Sequence, residues 1–289
     1  MVTPGARREV VVHLTTQYQV SQRRACRVVG INRATDRYRP QRKAELVHKE
    51  AAVQSRLVEL AKERPRFGYR RLGVLLRREG FVANHKRVHR LYKLGELALR
   101  RKGRKRLACI SRGPLAQPAR PNQVWAMDFV HDTLANGRKF RTLNVVDVYT
   151  RECRAIEVDT SLGGHRVVRV LDRLKEEHGV PERIMMDNGP EFTGKALDAW
   201  AYSQKVELDF IRPGKPMENG YVESFNGKFR DECLNSHWFM SMEDARQIIE
   251  GWRADYNEQR PHSSLGQLTP SAFARRSIFF DRISLIAVG

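Results

Sequence analysis

The sequence predicts an α/β protein in which a mixed five-stranded sheet covered by helices follows a string of small all-α segments. Three observations carry this expectation. First, the charge of the 289-residue chain is split: residues 1–120 hold 31 basic and 8 acidic side chains, whereas residues 121–289 hold 22 and 25, for +20 overall. Second, apolar residues before Gln123 recur at helical spacing, while after it short apolar runs alternate with helical patterns. Third, the order of the later elements is βββαβαβα, and three hairpin-linked strands followed by two crossover helices build a mixed sheet.

Composition removes several classes. With 41% apolar residues the chain is not disordered as a whole. No run approaches the 18 or so apolar residues of a membrane span, and residues 1–14 lack the apolar stretch and cleavage site of a signal peptide. Cys26, Cys109, Cys153 and Cys233 show no paired spacing, which fits a reducing cytoplasm. Of the 53 basic residues 40 are Arg, the better bidentate phosphate partner, a bias that a GC-rich genome also produces.

Taken in order, residues 7–18 place Val10, Val11, Leu14 and Tyr18 at helical spacing. Ser21 is the expected N-cap of a second helix through Val29, with Gly30 as its stop. A third short helix, residues 34–38, ends before Pro40. This is the outline of a helix-turn-helix, and also of any small three-helix bundle. Residues 46–63 are amphipathic through Val53, Leu57, Leu60 and Ala61. Pro65 and Gly68 mark a turn before a helix with Leu72, Leu75 and Leu76 inside. Asn84 is the expected cap of the next helix, with Val88, Leu91 and Tyr92 inward and Lys86, Arg87, Arg90 and Lys93 outward. His85 and His89 stand four apart, yet no Cys pair accompanies them, so a solvated or phosphate-facing role outweighs zinc. Residues 100–121 are rich in Arg and Lys, hold no acid and read as a linker that tracks phosphates. The division is therefore 1–45, 46–99, a linker 100–122, a core 123–235 and a helical extension 236–289.

The sheet begins with VWAMDFV. Asn136-Gly137 is a strong hairpin signal leading to RKFRTLNVVDVYT, and CRAIEVD is the third strand. Residues 164–178 are a helix through Val167, Val170, Leu171 and Leu174. ERIMMD is the fourth strand, stopped by Asn188-Gly189-Pro190. Thr193 is placed to cap a helix through Gln204, and KVELDFI is the fifth strand. A Pro/Gly loop, residues 212–217, is expected to be ordered only by a ligand. A long helix then covers residues 219–234.

Three acids stand out. Asp128 interrupts an apolar strand, where an unpaired charge is costly. Asp187 closes the fourth strand, at the end of a sheet where α/β proteins place ligands. Glu223 shares a helical stripe with Asn219, Asn226 and Arg230, beside an apolar face of Val222, Phe225 and Phe229. Each acid also has an ordinary explanation: a strand-end partner for Arg, a turn residue and a helix N-terminal acid. Asp147, also in an apolar strand, competes with them. If three carboxylates converge they repel, and hard oxygen donors with few His or Cys nearby point to Mg²⁺ or Mn²⁺.

The strings VWAMDFV, MMDNGPEF and NGYVESFNGKFRDE, with 35 residues between Asp187 and Glu223, resemble the D,D(35)E core of retroviral integrases and bacterial transposases. With RPRFGYRRLGVLLRREG, NHKRVHRLYK and YNEQRPHSSLGQLTPSAFA, residues 22–275 resemble the OrfB product of IS-three family insertion sequences. That resemblance implies an RNase H-like (retroviral-integrase-type) α/β core preceded by helix-turn-helix-like all-α domains. It implies a DDE transposase that cuts and joins double-stranded DNA at terminal inverted repeats and target sites, using two Mg²⁺ ions that Mn²⁺ can replace. Asp128, Asp187 and Glu223 would be catalytic and bind the metal. Arg230, seven after Glu223, stands where the family usually has a Lys that contacts terminal DNA. The other candidate DNA contacts are Lys228, Lys215, Arg70, Arg71, Lys86, Arg87, Arg90, Arg104 and Lys105.

No HHCC zinc module of a retroviral integrase accompanies the core, and residues 276–289 match no motif of the family. The family's active enzyme is usually a fusion with an upstream frame, so one alternative is a DNA-binding regulatory or accessory subunit that needs that partner. A plain nuclease for RNA–DNA hybrids is the other, disfavoured by the basic N-terminal region. The expected setting is a cytoplasmic, nucleoid-associated protein forming at least a dimer on DNA, without a membrane partner.

Overall fold

The computed structural model describes residues 3–38, 44–99, 118–211 and 220–277, with backbone only for residues 44–49. The chain divides into two compact units, Met1–Ser55 and Arg56–Gly289.

In the first unit, α1 (Pro4–Gln17) is capped by Thr3 and starts on a Pro whose missing N–H is no loss there. Ser21 caps α2 (Gln22–Val29) by accepting from Arg24 N–H, and Gly30 ends it in the left-handed conformation (φ 68°) that glycine adopts without strain. Asn32 caps α3 (Arg33–Arg37). Val11, Ala25, Cys26 and Ile31 form the core, with Leu14, Val20 and Val29 against it. The expected inner stripe of α1 is narrower than its spacing suggests: Val10 and Tyr18 are exposed, because two short partner helices cover only the Val11–Leu14 side. The helix α4 (Ala44–Glu63) runs on into the second unit.

There, α5 (Tyr69–Arg78) and α6 (His85–Leu94) pack together, Leu72, Leu76, Val88 and Leu91 are buried, and Asn84 caps α6 as expected. The sheet follows: β1 (Val124–Thr133), β2 (Lys139–Asp147), β3 (Cys153–Asp159), β4 (Arg183–Met186) and β5 (Glu207–Phe210), in the order β3-β2-β1-β4-β5. The first three strands pair antiparallel, and β1–β4 and β4–β5 pair parallel. The β1–β2 hairpin turns at Asn136-Gly137, where Gly137 has φ 85° and the Asn136 carboxamide accepts from Arg138 N–H.

Alternation along the strands sorts two cores. Trp125, Met127, Leu143, Val145, Ile184 and Met186 face α7 (Gly164–His178) and α8 (Lys195–Gln204). Val124, Ala126, Val130, Phe140 and Val146 face α9 (Gly220–Glu232) and α10 (Met242–Glu258). Thr193 does not cap α8; Gly194 takes the N-cap place with no side-chain bond.

On the second face the packing is aromatic: Phe225 stands 5.0 Å from Tyr256 and 5.7 Å from Trp252, ring centre to ring centre. Burying such rings is worth roughly 1.5–3 kcal/mol each. The edge strand β3 is bracketed by α10. Asn257 accepts from Cys153 N–H and donates to its carbonyl, each at 2.9 Å, while Arg253 and Arg246 donate to the carbonyls of Cys153 and Val158. Helical backbone resumes over residues 270–277. No helix among the described residues is long and apolar enough to cross a membrane.

Candidate active site

The period of two puts Asp128 on the β1 face that carries Val124, Ala126 and Val130, the face that receives α9. Its partner across the hairpin, Asn144, lies on the same side of β2. The apolar stripe of α9, Val222, Phe225 and Phe229, is fully buried and sets the roll of the helix. That roll turns the neighbouring stripe, Glu223, Asn226 and Arg230, toward the end of the sheet where Asp128 lies.

Asp128 is contacted from both sides. One oxygen accepts from Phe129 N–H at 2.8 Å; the other accepts from Asn226 Nδ2 at 2.7 Å. Asn226 Oδ1 in turn accepts from Asn144 Nδ2 at 2.7 Å. Asn226 is 7% exposed and Asn144 0%, so the two amides form a buried relay ending on the carboxylate. Asn144 Oδ1 has no partner among the described residues. The relay was missed in the sequence. Asn226 sat in the stripe with Glu223, but its inward use shows only once Asn144, a polar residue at an inward-facing strand position, is set opposite Asp128.

Burial pushes the Asp128 carboxyl up to about 6, the Phe129 and Asn226 hydrogen bonds oppose the rise, and the charges of Asp187 and Glu223 add to it. The other two acids named from the sequence therefore act electrostatically on Asp128. Asp187 follows β4 directly and accepts from Gly189 N–H at 3.3 Å. A Cβ at Gly189 would stand 3.2 Å from Asp187 Oδ1 and 3.3 Å from Glu191 Oε2, so a larger residue there would push both carboxylates aside by a few tenths of an ångström. Asn188 donates to the Ile211 carbonyl at 2.8 Å and ties this turn to the end of β5. Beyond it, Glu191 pairs with Arg141 at 2.5 Å, and Arg141 lies over the Phe129 ring. Both stabilise the strand ends flanking the acids.

Asp187 and Glu223 are exposed. Three carboxylates of hard oxygen donors, one of them raised to about 6 chiefly by burial, suit a divalent cation. Among the described residues no group of three or more His, Cys, Asp or Glu side chains is already drawn together as a metal cage. Asp147, the competing acid, has another use. It accepts from the backbone N–H groups of Asn122, Tyr149 and Thr150 and pairs with Arg154, so it builds the β2–β3 turn.

The candidate DNA contacts fall in different places. Arg230 is exposed on the Glu223 edge and donates to the His131 carbonyl at 3.4 Å. Lys86 is exposed on α6, where Arg87 and Arg90 also lie, and Arg70 is exposed on α5. Arg71 pairs with Glu232 at 3.1 Å. Lys228 lies on the opposite edge of α9 from Glu223 and is half-buried. Lys215, Arg104 and Lys105, and the loop of residues 212–217, lie outside the described residues. His89 rests on the Tyr69 ring, with centroids 4.6 Å apart.

Comparison with known proteins agrees with this architecture. Residues 118–216 and 204–270 match the integrase core domain family, and residues 48–105 match an HTH-like domain family. An uncharacterized 31.7 kDa protein of insertion element IS407 from Burkholderia multivorans is 52% identical over 89% of this chain and 91% of its own length. An uncharacterized 39.2 kDa protein of insertion element IS476 from Xanthomonas euvesicatoria is 45% identical over 94% of this chain and 78% of its own. A simian T-cell lymphotropic virus intasome, solved in complex with PP2A regulatory subunit B56 gamma, has a chain that superposes with a TM-score of 0.51 at 15% identity. It covers 75% of this chain and 74% of that one, a likeness of fold. The chain belongs to the IS-three family of insertion-element transposases, OrfB type, with an HTH-like domain ahead of an integrase core.

Proposed function

We propose that this transposase cuts DNA at insertion-sequence ends and transfers the freed strand to target DNA, with Asp128, Asp187 and Glu223 as the catalytic acids. The observation that carries the proposal is the seating of α9. It lays Asn226 on Asp128 and brings Glu223 and Asp187 near enough to raise the Asp128 pKa. Two Mg²⁺ ions, replaceable by Mn²⁺, would supply Lewis acidity and neutralise the carboxylates when bound.

The protein's own residues do the rest. Asp128 is presented from a rigid strand. Asn226 fixes one of its oxygens, leaving Asp128 a defined direction from which to bind, and Asn144 fixes Asn226. Glu223 and Asp187 have oxygens open to solvent, where a phosphodiester of the DNA end reaches them. Arg230, on the same edge as Glu223, is placed to hold a neighbouring phosphate. Water attacks a phosphodiester at the element tip and displaces a 3′-hydroxyl; that hydroxyl attacks a target phosphodiester in line, forming a new P–O bond as the target's own bridging 3′-oxygen leaves as a hydroxyl. No Ser or Tyr nucleophile is required.

The helical segments supply grip. Lys86, Arg87 and Arg90 on α6, Arg70 and Arg71 on α5, and Lys228, Lys215, Arg104 and Lys105 are the proposed contacts to double-stranded terminal repeats and target. Bringing two ends together calls for at least two copies of the chain.

The test is Asp187→Asn, incubated with Mg²⁺ and a labelled terminal inverted-repeat duplex. Nicked and joined products should disappear, while the affinity for the duplex stays within about twofold, because a single exposed charge is all that changes. Full activity would remove Asp187 from the site. Duplex binding without products by the unaltered chain would instead make it an accessory subunit that needs the upstream-frame product.

A further inference from the structure

The turn between α4 and α5, and both ends of α5, are fastened to the helices of the catalytic core. At the turn, Arg64 pairs with Asp255 on α10, and Arg66 pairs with Asp231 on α9 at 3.6 Å. Near the start of α5, Arg71 pairs with Glu232 on α9 at 3.1 Å. At its end, Arg78 donates to the carbonyls of Gln259 and Gln267, at 2.7 and 3.2 Å, in the loop after α10. Glu232 is also held in a fork by Arg260, at 2.7 and 2.6 Å, and Arg260 is 2% exposed. Phe67 is buried in the middle. The guanidinium carbons of Arg64, Arg71 and Arg260 stand 5.8, 5.3 and 5.9 Å from its ring centre.

Partly exposed ion pairs add little to stability one by one. Their placement matters more. Arg71 and Arg78 lie seven residues apart, about 10 Å along the α5 axis. Arg64 and Arg66 precede the helix, on the other side of Gly68. A body held at one point can swing or slide, whereas a body held at several separate points does neither.

The far side of this joint leads straight to the acids. Glu232 stands nine residues after Glu223 on α9, about 14 Å along the same helix. On the near side, α5 packs on α6. The path from α6 through α5 and Glu232 to Glu223 therefore consists of helices and side-chain contacts. Successive nucleotides of one DNA strand are about 3.4 Å apart along the duplex axis. A joint that yielded by that distance would bring a different phosphodiester to the acids.

We propose that Asp231, Glu232 and Asp255, with Arg64, Arg66 and Arg78 opposite them, are positioning residues that decide which phosphodiester of a gripped duplex is cut. They act through the helices they join, by holding α5 and α6 at a fixed distance and angle from Glu223, and not by touching the reacting atoms. The proposal rests on the transposase function above, with the grip on α5 and α6 and the chemistry at Glu223.

The experiment uses the full chain, with the double variant Asp231→Asn/Asp255→Asn and the reversed pair Arg64→Asp/Asp255→Arg. Neither alters a catalytic acid or a proposed DNA contact. A terminal inverted-repeat duplex labelled at one end is incubated with Mg²⁺, and the cuts are mapped to the nucleotide. The unaltered protein should cut at one phosphodiester. In the double variant, cuts at neighbouring phosphodiesters should rise about fivefold, the effect of losing two partly exposed ion pairs. Duplex affinity and total cutting should stay within about twofold. The reversed pair should cut where the unaltered protein does. A joint that only supports the fold lowers the yield without moving the cut, so an unmoved cut in the double variant overturns the proposal. Spread cutting that persists in the reversed pair overturns it as well. Amide hydrogen exchange gives a readout free of the chemistry. In the unaltered protein, duplex binding should slow exchange in α5, in α6 and in α10, which carries no proposed DNA contact; in the double variant the slowing should stop at α5 and α6. Equal slowing of α10 in both proteins, or in neither, overturns the proposal. A protein that binds the duplex without cutting it defeats the strand-transfer reading alone, and the exchange then decides the joint. A protein that binds no duplex overturns both.

Discussion

Replacing Asp128 with Asn should stabilise the metal-free protein at neutral pH. The carboxyl has an ordinary pKa of 3.8 and is raised to about 6 in the fold, chiefly by burial and further by Asp187 and Glu223. The folded state therefore holds the proton more tightly than the unfolded chain. Stability is lost as pH rises from 3.8 through 6, and the loss is complete above 6. A shift of that size corresponds to roughly 3 kcal/mol. The surroundings accommodate a neutral amide, because the relay can reverse. If both amides turn over, Asn226 accepts from the new side chain and donates to Asn144 Oδ1, the atom that has no partner in the present arrangement. For a unit of this size, 3 kcal/mol is a rise in melting temperature of roughly 6–12 °C. Differential scanning calorimetry with EDTA, at pH 8 and again at pH 4, is the assay. The variant should melt higher at pH 8, and the difference should nearly vanish at pH 4. Adding Mg²⁺ at pH 8 should raise the melting temperature of the unaltered protein and leave the variant where it was. A difference of the same size at both pH values, or a variant less stable at pH 8, would refute the account of Asp128 as a carboxylate ionised against its surroundings.

Three further outcomes follow from the same geometry. Asn226→Leu keeps the volume, strips Asp128 of a donor and leaves the Asn144 amide buried without its acceptor. It should cost about 1–3 kcal/mol of stability by chemical denaturation and weaken Mg²⁺ binding measured by calorimetry. Glu232→Ala leaves Arg260 buried without its carboxylate and should cost about 3–5 kcal/mol; a loss below 1 kcal/mol would show that solvent reaches the guanidinium. Removing residues 1–43, which hold 10 basic and 2 acidic side chains, should leave the second unit folded and flatten the salt dependence of duplex binding, and an unchanged slope would exclude this segment from DNA contact.

Much of this was legible in the sequence because its signals are local. The order of elements and the mixed character of the sheet follow from hairpin and crossover patterns, and Asp128 stands out as an acid inside an apolar strand. Ser21, Gly30 and Asn84 act through caps that need no distant partner. Other features depend on distance or on bulk. The exposure of Val10 and Tyr18 reflects how little surface two short helices can cover. Thr193 has a capping side chain at nearly the right place, yet the turn through Gly194 shifts the helix start past it. The Asn144–Asn226 relay spans 82 positions and the Arg71–Glu232 pair 161, so neither leaves a periodic trace. Asp147 and Asp128 look alike in sequence, and only the three N–H groups converging on Asp147 tell them apart.

The bracket of α10 on β3 bears on how copies of the chain can associate. An open sheet edge invites another strand to add to it. Here the outward peptide groups of Cys153 are already taken by a side-chain amide that imitates a neighbouring strand, and the Val158 carbonyl by a guanidinium. Lengthening the sheet past β3 would mean peeling α10, with Trp252 and Tyr256, out of the core. Association between copies of the chain is thereby steered away from strand exchange at this edge and toward contacts between folded surfaces, which can form and separate without unfolding either copy.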